Sequence, residues 1–155
     1  MSDTFQFLDP GTLIDRDLQL VLVDQGYKDP EGDRVPFYLF GMKRVPDGAN
    51  MGGIMLRIGD AATVLRYACH LGFDVRPEHR GRRYAARSVG LLLPFARRQG
   101  LDKVWIGCDP DNAASRRTCE LAGGAYQETI PVPPDIDLYE QGMRLLRRHC
   151  IDVKE

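Results

Sequence analysis

The residues most suggestive of chemistry lie in VRPEHRGRRYAARS, Val75 to Ser88, where Arg76, Arg80, Arg82, Arg83 and Arg87 crowd the entrance of a segment that reads as helix. A helix start leaves backbone N–H groups unpaired and carries partial positive charge, so arginines gathered there define an anion site, most often for phosphate. The charge is local. Over 155 residues the chain sets 21 Lys+Arg against 22 Asp+Glu, a net charge of -1, which argues against a protein built to coat nucleic acid or an anionic membrane. The absence of aromatic residues interleaved with the arginines argues against nucleic acid as well. A second group follows DPDN, where Asn112, Ser115 and Cys119 recur at helical spacing and share one face. Cys69, Cys108, Cys119 and Cys150 make no C-x-x-C pair and have no histidine at metal spacing, so reduced thiols, no disulfide framework and no metal site are expected.

These groups need elements to hold them. DLQLVLVDQG alternates Leu18, Leu20 and Leu22 against Asp17, Gln19 and Val21 and predicts a first strand. FYLFGMKR and GGIMLRIG predict two more, joined by the hairpin chemistry of VPDGAN. DAATVLRY suits a short helix or an irregular crossover, and CHLGFDV predicts a buried strand feeding the arginine loop. A helix is predicted from Arg83 to Gln99, stopped by Gly100 and kinked at Pro94, whose ring crowds the carbonyl of Gly90. KVWIGC predicts a strand, DPDN a cap, Ala113 to Leu121 a second helix, and AYQETIPV and LLRRHCIDV two closing strands. The order implies one α+β domain over 1–155, a mixed, mostly antiparallel sheet with crossover helices and the arginine loop between a strand end and a helix start. No secretory leader or membrane-spanning apolar run is read, so a cytoplasmic location is expected. The late strands are expected to offer a sheet edge through which a homodimer can form.

RGRRYA, Arg80 to Ala85, resembles the pyrophosphate loop Q/R-x-x-G-x-G/A of the GCN5-related N-acetyltransferases, the GNAT superfamily, and VRPEH is similar to that family's lead-in. DPDNAASRRTCELAGG is similar to its helix of pattern N-x-x-A/S ending in Glu-x-x-Gly, with Asn112, Ser115, Glu120 and Gly123 in register. The resemblance spans the second two-thirds of the chain. It implies a splayed sheet, acetyl-CoA as co-substrate, and transfer of acetyl to a small-molecule amine or peptide N-terminus. It also implies that Phe73, Asp74 and Val75 flank the pantetheine arm and that Arg80, Gly81, Arg82, Arg83, Tyr84, Ala85 and Ala86 wrap the pyrophosphate. Asn112 and Ser115 would face the arm near the thioester. Three departures stand out. Arg83 replaces the loop's second glycine, Cys119 stands where many members carry the tyrosine that protonates the leaving thiolate, and Gln25 to Val35 is too short for the usual two helices beside the acceptor. The acceptor site is then open or completed by another subunit.

Amine attack on a thioester needs a base for an ammonium of pKa near 10.4 and a donor for the oxyanion. His70, Asp74 and Glu120 are the base candidates, His70 being favoured because imidazole titrates in the useful range. Cys119 is the candidate acid, with a backbone amide of Phe73 to Val75 as oxyanion donor. Asp109, Asp111, Glu128, Asp135 and Asp137 suit a cationic acceptor. The competing reading is a non-catalytic acyl-CoA or nucleotide-binding module on the same fold.

Overall fold

Apolar alternation builds the first half of the sheet. The computed structural model describes residues 5–28, 35–59 and 64–153. A short strand β1 (Leu13–Asp15) leads into β2 (Leu18–Lys28), β3 (Val35–Arg44) and β4 (Asn50–Arg57), all antiparallel. VPDGAN makes the β3–β4 turn, with Gly48 at φ +73 and Arg44 paired to Asp47. The alternation predicted for β2 holds for Leu18 and Leu20, which are buried, and fails at Leu22, which is exposed. A bulge between Leu22 and Asp24 breaks the register, and β1 pairs with β2 only as far as Leu20.

β5 (Leu71–Val75) lies antiparallel to β4 and is followed by a 3-10 turn (Pro77–His79) and helix α1 (Tyr84–Arg98). Of the ambiguous DAATVLRY, 60–63 fall outside the described residues, and Val64–Ala68 forms a single π-helical turn. α1 buries Tyr84, Ala85, Ser88, Val89, Leu92, Phe95 and Ala96, one stripe at helical spacing. The helix runs through Pro94 as one element and stops at Gly100, whose φ is +97. Strand β6 (Lys103–Cys108), helix α2 (Ala113–Leu121), strand β7 (Ala125–Pro131), the one-turn helix α3 (Asp137–Glu140) and strand β8 (Leu145–Asp152) complete the order.

The sheet runs β1-β2-β3-β4-β5-β6-β8-β7, and the mixed α+β expectation holds. Every neighbouring pair is antiparallel except β5 with β6. Of the two late strands expected to offer an edge, β7 does so, whereas β8 lies inside between β6 and β7. One face packs α1 and α2 against Leu20, Tyr38, Phe40, Val104 and Ile106. The other carries a smaller cluster, Cys69, Ile130, Val132 and Leu146, under Tyr67, Trp105, Leu138 and Met143. No helix of the described residues is long and apolar enough to cross a membrane.

Candidate active site

The parallel strands β5 and β6 are registered through one pair, Leu71 with Ile106, and the ladder stops there. His70 secures the base of this junction. Its backbone N–H donates to the Trp105 carbonyl at 2.9 Å, and its Nδ1 accepts the Trp105 N–H at 2.9 Å. Because Nδ1 accepts, Nε2 carries the proton and donates to the Gly59 carbonyl at 2.9 Å. Beyond the pair, β5 stays held on its β4 side, where Gly52 makes a close approach: a Cβ there would lie 2.2 Å from the Asp74 carbonyl oxygen. Two cavities open where the strands part, and Phe73, Asn112 and Ser115 line both.

The first cavity, about 450 Å³, runs between β5, the arginine loop and α2. Of the residues expected to hold the cofactor, Phe73, Asp74, Val75, Arg80, Gly81, Arg83, Tyr84 and Ala85 line it, and α2 adds Arg117, Thr118 and Leu121, which sequence reasoning missed. Arg82 and Ala86 are not among the described residues on its wall, which separates them from the rest of the expected loop. Arg80 Nε donates to the Val75 carbonyl at 2.9 Å, so that carbonyl, expected to meet the pantetheine arm, already has a donor. Arg83 takes φ 62, ψ 27 at the start of α1: the backbone turns as the expected glycine would, with an arginine side chain attached. Gly81 sits at φ +91, and a Cβ there would meet nothing within 4 Å.

The second cavity, about 410 Å³, lies on the other side of the shared residues. Its wall combines Tyr67, Leu138, Met143 and Leu146 with the polar groups of Arg57, Asp109, Asp137 and Gln141. Sequence reasoning missed Arg57 altogether, because a lone strand-end arginine carries no motif. Asn112 links both cavities and caps α2, its Oδ1 accepting the Ser115 N–H at 3.0 Å.

The structure places two of the expected catalytic residues away from both cavities. His70 is 2% exposed, spends both ring nitrogens on backbone partners and is absent from the described lining of either cavity. Cys119 is fully buried and likewise absent from both walls; a hydrogen bond to Cys108, then burial, pushes its thiol upward. The same bond, with Arg147 and Arg116 nearby, lowers Cys108, which does face the second cavity. Asp74 is exposed on the wall of the first cavity, and Glu120 is exposed on α2 away from both described walls. Two of the thiols expected to stand apart are grouped: Cys108, Cys119 and His149 bring ligand atoms within 4.8 Å of one another. Arg147 Nε donates to His149 Nε2 at 3.1 Å, which occupies that nitrogen and sets a guanidinium beside the group.

A mixed sheet splayed at one parallel pair, with an arginine-rich helix start beside the splay, defines the acyl-CoA N-acyltransferase fold. The acetyltransferase (GNAT) domain family matches residues 16–125, and the chain belongs to it. Its fold is shared with the microcin C7 self-immunity acetyltransferase MccE in complex with acetyl-CoA and AMP, at 13% identity and TM-score 0.57 over 75% of this chain and 61% of that one. It is shared with RimL, the ribosomal L7/L12 α-N-protein acetyltransferase, at 11% identity and TM-score 0.59 over 77% and 71%. A GNAT-family acetyltransferase from Bacillus anthracis matches at 15% identity and TM-score 0.57 over 76% and 67%. The chain thus spans about three fifths of the length of MccE. No curated protein matches it in sequence.

Proposed function

We propose that the protein transfers the acetyl group of acetyl-CoA to a primary amine. The observation that carries this reading is the meeting of two cavities at Phe73, Asn112 and Ser115, one bordered by the arginine loop and the other by acidic groups. Acetyl-CoA, bound in the MccE structure, supplies a thioester carbonyl for the amine to attack and a thiolate to leave. In this reading Arg80, Gly81, Arg83 and the first N–H groups of α1 hold the pyrophosphate. The free edge of β5 beyond Leu71 lies along the arm, and a backbone N–H from it steadies the oxyanion. Ser115, on both walls, takes the acid role that Cys119 cannot reach, donating to the departing thiolate. Asp109, half-buried on the second wall, takes the ammonium proton through water, with Asp74 as the alternative carboxylate. RimL, as an α-N-protein acetyltransferase, favours an α-amine as acceptor. Edge-to-edge pairing of β7 is the route to a homodimer, which sedimentation at micromolar concentration tests.

Calorimetric titration with acetyl-CoA, CoA and 3′-dephospho-CoA, followed by thiol-release assays over an amine panel, tests the reading. Micromolar binding, reduced about 10-fold or more by Arg80→Glu with Arg83→Glu in one variant while the fold is kept, is expected. No binding would remove the proposal. Binding without turnover of any amine would favour the non-catalytic module.

A further inference from the structure

We infer that the acceptor carries a carboxylate as well as its amine, the carboxylate held by Arg57 and the ammonium facing Asp109 and Asp137: a free amino acid with an apolar side chain. The inference rests on the acetyltransferase reading and names the substrate class of that site.

Arg57 ends β4, and its side chain folds over Gly72, so that a Cβ at that glycine would lie 3.7 Å from Nη1. The guanidinium thereby reaches the wall of the second cavity. Its Nη1 donates to two neutral carbonyls, those of Ala68 at 3.3 Å and Cys69 at 3.4 Å, both at the long end of the hydrogen-bond range. Its Nε is buried and has no partner among the described residues, and none of their carboxylates pairs with it. Other shielded guanidiniums of the molecule are treated differently. Arg87 is held by Asp15 and Asp17, and Arg148 by Glu128. A guanidinium taken partly out of water with no counter-charge is costly, and an anion delivered by a ligand removes that cost through charge-assisted hydrogen bonds. Burial correspondingly pulls the Arg57 pKa downward.

The rest of the wall sets what the anion is attached to. Asp109 and Asp137 supply negative charge for an ammonium, and Tyr67, Leu138, Met143 and Leu146 supply an apolar lining. A space of about 410 Å³ is of small-molecule size. The shared residues Phe73, Asn112 and Ser115 place it next to the cofactor cavity, where an acceptor nitrogen must come.

The test uses the product of such a reaction as probe. N-acetyl-L-leucine and N-acetyl-L-leucinamide are titrated calorimetrically into the protein, alone and saturated with CoA, and into Arg57→Gln and Arg57→Lys. The acid is expected to bind about 10-fold or more tighter than the amide, with Arg57→Gln bringing the two within about two-fold and Arg57→Lys keeping part of the preference. Equal binding of acid and amide, no binding of either at millimolar concentration, or an undiminished preference in Arg57→Gln would each overturn the inference. Should Arg57→Gln fail to fold, the wild-type comparison and Arg57→Lys still decide. Failure of the acetyltransferase reading is seen separately, as absent CoA binding while the preference for the acid persists.

Discussion

Ser115 and Cys119 stand one turn apart on α2 and meet different surroundings: the serine borders both cavities, the cysteine is sealed against Cys108. Chemistry follows access. Ser115→Ala is expected to lower kcat by about 10²-fold with cofactor affinity unchanged, the size of loss typical of a misplaced or missing proton donor. Cys119→Ala is expected to keep kcat within about two-fold and to cost roughly 1 kcal/mol of stability, the transfer and cavity terms of one small buried group. Parallel steady-state kinetics and denaturant melts separate the two, and a large kcat loss in Cys119→Ala with intact stability would return the acid role to the thiol. His70 belongs with Cys119. Its residue type invites a catalytic role, yet its hydrogen bonds join Trp105 of β6 to Gly59, just beyond the end of β4, at the foot of β5.

At the level of elements, the position of β5 decides the cleft, and Gly52 decides how close β4 can come to β5. Its φ of +150 and the 2.2 Å approach of a notional Cβ to the Asp74 carbonyl leave no room for a side chain. Gly52→Ala must therefore push β5 toward the cleft, with an expected loss of roughly 1–3 kcal/mol, the range for an overpacked site. Acetyl-CoA affinity should fall with it, and a variant of unchanged stability and affinity would show that the strand tolerates the shift. The strands from β2 onward and the two long helices are legible in the sequence because their apolar periods, caps and stop glycines agree with one another. The three-residue β1 and the one-turn α3 are not, and the π-helical turn is legible only as an ambiguous short helix or crossover, because so brief an element expresses no period. The same logic divides the site. The wall formed by Arg80, Gly81, Arg83, Tyr84 and Ala85 comes from one short stretch of chain and announces itself, whereas the second wall draws Arg57, Tyr67, Asp109, Asp137 and Leu146 from distant segments. The cluster of Cys108, Cys119 and His149 is hidden for the same reason, since it forms only where β6, α2 and β8 meet.

Across the whole molecule, the start of α1 is tied to the opposite end of the sheet order by Arg87. Its Nε meets Asp15 at 2.7 Å and its Nη2 meets Asp17 at 2.7 Å, while the Tyr84 hydroxyl donates to Asp17 at 2.5 Å. The helix start that borders the arginine loop is thus anchored by the β1–β2 turn. The Tyr84 hydrogen bond first, and Arg87 second, hold the Asp17 carboxyl at about 2, below its ordinary 3.8. Asp15 is lowered as well, chiefly by its hydrogen bond to Arg87. A carboxyl whose pKa is depressed on folding contributes stability above its unfolded value, and that contribution is lost as the pH falls through the folded one. The melting temperature should accordingly change little through this pair above pH 5 and drop as the pH falls from about 4 to about 2. Asp17 is 40% exposed, so solvent screening keeps the effect modest. Asp17→Asn should melt lower near pH 7 and show a shallower acid limb, leaving a residual slope from groups such as Asp47, which Arg44 also holds at about 2. Thermal melts of both proteins from pH 7 to pH 2 check this, and an acid limb of equal steepness in Asp17→Asn would detach the anchor from the molecule's acid response.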